Sequence, residues 1–102
     1  MNLLIFRIVR SAEFYKMTEL IHFILMNIKV YGANWCSDCV STKNFLNSKE
    51  IKFEYIDITD NLQAIAVVEK INKGKRVIPT LIIDGVSYIN PGINGLIKIL
   101  AQ

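Results

Sequence analysis

From residue 27 onward the chain switches repeatedly between two hydrophobic periods. "NIKVYG", residues 27–32, alternates and is rich in β-branched and aromatic residues, so it predicts a strand. In "SDCVSTKNFLNSK" the period lengthens to that of a helix, with Cys39, Thr42, Phe45 and Leu46 on one face. "KFEYIDI", 52–58, predicts the next strand. A helix is then expected over 61–73. Asp60 is its expected N-cap, Ile65, Val68 and Ile71 lie near helical spacing, and Lys70 and Lys73 suit the C-terminal end. Gly74 is expected to close it in the left-handed conformation.

"TLIID" and "VSYIN" flank Asp84-Gly85, a hairpin signal, because a type I′ turn needs positive φ and Asp-Gly tolerates it. Pro91 suits the start of a last helix. In that helix Ile93, Leu96, Ile97 and Leu100 form one expected apolar stripe, and Gly92 and Gly95 weaken it locally. The order is β-α-β-α-β-β-α. The first βαβ unit should be parallel and right-handed, with the hairpin adding two antiparallel strands.

Residues 1–25 stand apart from this pattern. Phe14, Met17, Ile21 and Ile24 suit an amphipathic helix capped near Ser11, with His22 on its exposed side. Two readings compete. One is an added helix docked on the domain or on a partner. The other is an over-extended reading frame whose natural start is Met26. The division is therefore 1–25 as an extension and 26–102 as the domain.

Composition narrows the function. At 102 residues one domain is expected, and a 52% hydrophobic content is enough for a core without staples. A net charge of +3 is mildly basic and scattered, apart from Lys73-Gly74-Lys75-Arg76, which argues against a nucleic-acid partner. "LIHFILM" is too short to span a membrane, so no membrane partner is expected. "MNLLIFRIVR" reverses the order of a secretory signal, and the chain is read as cytoplasmic and monomeric.

The chemistry lies in "WCSDC". Cys36 and Cys39, the two cysteines of the chain, are too few for a disulfide scaffold. Cys-x-x-Cys after a strand and opening a helix is a redox signature. The free N–H groups and positive dipole end of the first helical turn favour a thiolate at Cys36, the attacking species. One turn on, Cys39 can resolve a mixed disulfide at Cys36. Asp38 is expected to tune this site. Its charge suits the helix start but opposes a thiolate at Cys36, which points to a reductant rather than a disulfide donor. A structural zinc site needs four ligands, and the chain offers two cysteines and His22. An iron–sulfur or metal site shared between two chains, a redox-regulated interaction module and two inert thiols remain as alternatives. Trp35 suits an apolar contact platform beside the nucleophile. Lys75 and Arg76 are candidates for a substrate carboxylate.

"VYGANWCSDC", the later "RVIPT" and "DGVSYINP" together resemble the glutaredoxin branch of the thioredoxin superfamily. The likeness is to mycoredoxin-like glutaredoxins, which carry W-C-x-x-C, an N-G-x-x-R-x-V-P-T segment and a later N-P. "NKGKRVIPT" and Asn90-Pro91 are the counterparts here, and the likeness covers 27–102. It implies an α/β thioredoxin fold with a four-stranded mixed sheet. It also implies a dithiol–disulfide oxidoreductase that needs no cofactor. The implied partners are disulfide-containing protein substrates and a thioredoxin-reductase-like enzyme or low-molecular-weight thiol that recharges the pair. It further implies a cis Ile78-Pro79 peptide facing the cysteines. Proline leaves no N–H there to compete with the thiols, and the Ile78 backbone can pair with an extended substrate. Glutathione-using relatives usually carry a lysine where this chain has Ala33, a Gly-Gly turn and acidic residue where it has "NPGING", and Pro-Tyr in place of Ser37-Asp38. These departures weigh against a full glutathione clamp.

Overall fold

A computed structural model describes residues 26–101 of the chain, and the helix expected near 11–24 lies outside the described residues. Strand β1 (Ile28–Gly32) leads into helix α1 (Ser37–Ser48), followed by β2 (Glu54–Asp57) and α2 (Leu62–Ile71). Strands β3 (Thr80–Ile83) and β4 (Val86–Ile89) form the hairpin, and α3 (Gly92–Leu100) ends the domain. The order is the expected one. The sheet runs β2-β1-β3-β4, with β1 parallel to β2 and β3 antiparallel to both β1 and β4.

The period-two pattern of the strands explains the layers. Ile28 and Val30 of β1 and Leu81 and Ile83 of β3 point to one face, where Leu46 of α1 and Leu96 and Leu100 of α3 cover them. Tyr31 and Ile82 point to the other face and meet Ala64 and Val68 of α2. Leu46, Leu81 and Leu96 are fully buried, each stabilising the fold by roughly 1.5–3 kcal/mol relative to an exposed position. On α1 the expected face is the observed one: Cys39, Thr42 and Leu46 are buried and Phe45 packs half-buried against the core.

Three local expectations change. The helix expected over 61–73 stops at Ile71, and Lys73, at φ +55, takes the left-handed conformation ahead of Gly74 at φ +93. The cap of α2 is Asn61, not Asp60: the Asn61 side chain accepts from the Ala64 N–H at 3.0 Å. Asp60 instead takes a left-handed conformation at φ +58 and turns the chain into the helix. Ile97 is exposed, and Ile99 packs against the core in its place. The apolar arc of α3 is wider than the surface it rests on, and with Leu96 at its centre Ile97 falls on the margin. The hairpin turn keeps its predicted form, with φ +49 at Asp84 and +84 at Gly85.

A buried polar network fixes the approach to β3. The Asn72 amide donates to the Val68 carbonyl at 2.8 Å and to Thr80 Oγ1 at 3.2 Å, and Thr80 Oγ1 donates to the Val77 carbonyl at 2.6 Å. The end of α2 is thereby tied to the loop carrying Ile78-Pro79.

Candidate active site

Strand β1 ends in Gly32, and the chain turns through Ala33, Asn34 and Trp35 before α1 begins. Cys36 is the N-cap of that helix. Its backbone is extended, its N–H donates to the Ala33 carbonyl at 3.1 Å, and its carbonyl accepts the Val40 N–H at 3.0 Å. Its sulfur takes the place that a Ser or Asp oxygen usually fills at an N-cap. The Cys39 N–H donates to Cys36 Sγ at 3.2 Å. This bond holds the sulfur over the first turn of the helix.

Both cysteines are free thiols, but their surroundings differ. Cys36 is partly exposed and Cys39 is fully buried beneath it. Burial, aided by the hydrogen bond with Cys36, pushes the Cys39 thiol up from 9.0 to about 12. Cys39 is therefore a neutral thiol at physiological pH, held in reserve behind an accessible sulfur.

The antiparallel register pairs Tyr31 with Thr80, so Pro79 arrives at the end of the sheet from which the cysteine loop leaves. The Ile78-Pro79 peptide is cis, as the resemblance implied. Pro79 is buried, and its carbonyl accepts the Asn90 N–H at 2.8 Å. Ile78 is half-buried, packed against the α2 side of the core. Trp35 is 74% exposed, so it is a surface residue beside the thiols and not part of the core. Its indole N–H donates to Thr59 Oγ1 at 3.3 Å. The Thr59 N–H in turn donates to Asp57 Oδ1 at 2.8 Å, and this bond holds the Asp57 carboxyl below its usual range.

Arg76 lies in the loop before β3 and is engaged within the chain: its Nε donates to Glu69 Oε2 at 2.7 Å. Lys75 is exposed in the same loop. Asp38 sits in the first turn of α1 and is exposed. Its Oδ2 accepts a long 3.4 Å hydrogen bond from the Asn90 amide, and its charge adds the smallest of the effects that raise Cys39. Asn90, at φ +41, thus links the end of the hairpin both to Pro79 and to the dithiol helix. The sequence marked Asn90-Pro91 as a motif but gave Asn90 no role.

Gly32 and Tyr55 were also missed. A Cβ at Gly32 would lie 2.8 Å from the Tyr55 hydroxyl and 2.9 Å from Cys39 Sγ, so only glycine lets α1 and β2 approach so closely here. Lys43 Nζ lies 4.6 Å from the centre of the Tyr55 ring.

Among the described residues no group of three or more His, Cys, Asp or Glu could hold a metal ion. A cluster on Cys36 would need ligands from elsewhere. No helix among the described residues is long and apolar enough to cross a membrane.

A half-exposed thiol at a helix start, a buried thiol one turn on and a βαβ-plus-hairpin sheet define a thiol–disulfide oxidoreductase of thioredoxin-like fold. The glutaredoxin family model matches residues 28–88, and the chain belongs to the glutaredoxin family. A Mycobacterium tuberculosis protein whose name places it among the glutaredoxins is 32% identical over 65 residues, covering 63% of this chain and 77% of the relative. Mycoredoxin 1 of Corynebacterium glutamicum is 31% identical over 68 residues, covering 66% and 84%. The solved structure of the thioredoxin-like protein BC3987 superposes with a TM-score of 0.62 at 26% identity, over 71% of this chain and 97% of that one.

Proposed function

We propose that the protein reduces protein or mixed disulfides by a dithiol mechanism in which Cys36 attacks and Cys39 resolves. The observation that carries this reading is the asymmetry of the pair. Cys36 is reachable and receives the Cys39 N–H, while Cys39 is buried and protonated. The Cys36 thiolate attacks one sulfur of the substrate disulfide, and the other sulfur leaves as a thiolate that takes up a proton. Cys39 then attacks Cys36 Sγ. The mixed disulfide breaks, the Cys36–Cys39 bond forms, and the second substrate sulfur departs as a thiol. A reductase or a low-molecular-weight thiol returns two electrons to the pair.

Trp35 serves as an apolar platform for the substrate, and the backbone around Ile78-Pro79 as its extended pairing edge. Arg76 is the anchor for a substrate carboxylate, oriented by Glu69. The buried Ala33, standing where glutathione-using relatives place a lysine, favours protein disulfides over glutathione adducts.

The test is trapping. Cys39→Ser should accumulate a mixed disulfide on Cys36, and Cys36→Ser should abolish attack, both read by mass spectrometry of the adducts. An adduct on Cys39 in the Cys36→Ser protein would reverse the roles. NADPH oxidation with thioredoxin reductase or with glutathione and its reductase, run in parallel, identifies the recharging system.

A further inference from the structure

The dithiol reading leaves one difficulty. Resolution needs a nucleophilic sulfur at Cys39, and burial opposes charge there. The Ala33 backbone donates toward that sulfur and offsets only part of the penalty. A second polar atom faces the same spot. The Tyr55 hydroxyl is buried and has no hydrogen-bond partner among the described residues. Buried polar atoms without partners are few in folded proteins, and each calls for an explanation. This hydroxyl and Cys39 Sγ both lie less than 3 Å from the position that a Cβ on Gly32 would occupy. The parallel register sets Tyr55 opposite Val30 on the strand that ends in Gly32, so its side chain points to the face that α1 covers. The Lys43 ammonium over the ring holds it there.

We propose that Tyr55 is a positioning residue for the resolving step, its hydroxyl donating a hydrogen bond to Cys39 Sγ as that sulfur becomes a thiolate. The inference rests on the dithiol reading above. Tyr55 keeps its own proton throughout: burial, followed by the charges of Cys39, Asp57 and Cys36, pushes it up to about 12, so it acts as a donor and not as a base. The Cys39 proton passes to water or to the departing thiolate. The Cys36–Cys39 bond forms as the mixed disulfide breaks, and no further oxidant is needed. In the resting dithiol the hydroxyl is not in hydrogen-bonding geometry with any acceptor among the described residues, and the bond forms as Cys39 Sγ gains charge and becomes a strong acceptor. The ionisable groups around it are Cys36, Cys39 and Lys43 from α1 and Asp57 from its own strand.

Dithiobis(nitrobenzoate) separates the two steps. The first equivalent of coloured thionitrobenzoate reports attack by Cys36, and the second reports resolution by Cys39. Tyr55→Phe removes the hydroxyl and keeps the ring. It should release the first equivalent at the wild-type rate and the second about tenfold more slowly near neutral pH, the size expected for one hydrogen bond to a charged group. The pH profile of the second release should move to higher pH, while thermal stability is kept or raised. An unchanged second release overturns the proposal. So does equal slowing of both releases, which is what disturbed packing would give. A wild-type protein that releases only one equivalent overturns the dithiol reading itself, and this inference with it.

Discussion

The two cysteines are three residues apart, yet they occupy different media. Cys36 borders solvent and takes a helix N–H, while Cys39 lies under the helix against Gly32. That difference has a consequence for stability that can be measured. Folding buries the Cys39 thiol and pushes it up from its ordinary value of 9.0 to about 12. Below the lower value both states hold the proton, and the thiol's contribution to stability is fully present. Between the two values the unfolded chain has lost its proton and the folded chain has not, so stability falls as pH rises. The reduced protein should therefore lose stability to denaturant between about pH 9 and 12. The oxidised protein, with no proton on Cys39, should decline less over the same interval, the raised Tyr55 still contributing there. Parallel denaturant titrations of both forms check this, and coincident slopes would refute the assigned burial effect. Asp38 contributes least among the causes that raise Cys39. Its side chain is turned toward Asn90.

Local chemistry places the helices and strands well where one residue settles the matter, and less well where two neighbours compete. Asp84-Gly85 fixes the hairpin because both residues must take positive φ, and both do. At the start of α2, Asp60 and Asn61 are both good caps in isolation, and composition alone does not separate them. The structure decides through backbone geometry: Asp60 is left-handed and Asn61 extended, and only the extended residue can aim its side chain at the Ala64 N–H. Asn61→Ala should therefore cost about 1 kcal/mol. Asp60→Gly should cost nothing or stabilise slightly, because glycine accepts positive φ without penalty. Urea titrations of the two variants distinguish these outcomes. If the Asp60 variant is the one that loses stability, the cap is assigned to the wrong residue. A similar competition explains Ile97 in α3. Its spacing suits a stripe, but an arc that also holds Ile99 offers more apolar surface than the sheet can cover.

The dithiol, its helix and the order of the elements along the chain were legible because each depends on residues close together in sequence. The contacts that complete the site were not. Tyr55 and Cys39 come to the same side of Gly32 only through the pairing of β1 with β2, and Asn90 meets Asp38 across 52 positions of chain. A period-two pattern shows which face a residue takes but not which helix lies above it. Across the whole molecule the same reasoning bears on where the folding unit begins. The described residues, 26–101, hold a four-stranded sheet, two core clusters, the dithiol and the Ile78-Pro79 loop. Met26 itself packs against the α1–α3 side of the core. Just after it, the Asn27 N–H donates to Asp84 Oδ1 at 2.9 Å and its carbonyl accepts the Asp84 N–H at 2.8 Å, closing the sheet at that end. A chain beginning at Met26 keeps all of these contacts, whereas one beginning at Ile28 loses the Met26 packing and both bonds to Asp84. The first should unfold in a single cooperative transition and retain disulfide-reductase activity close to that of the full chain. The second should lose about 1–3 kcal/mol, from two hydrogen bonds of about 1 kcal/mol each and a partly buried apolar side chain. Calorimetry and turnover of the two proteins against the full chain provide the measurement. Loss of most activity in the Met26 protein would make residues 1–25 an integral part of the domain.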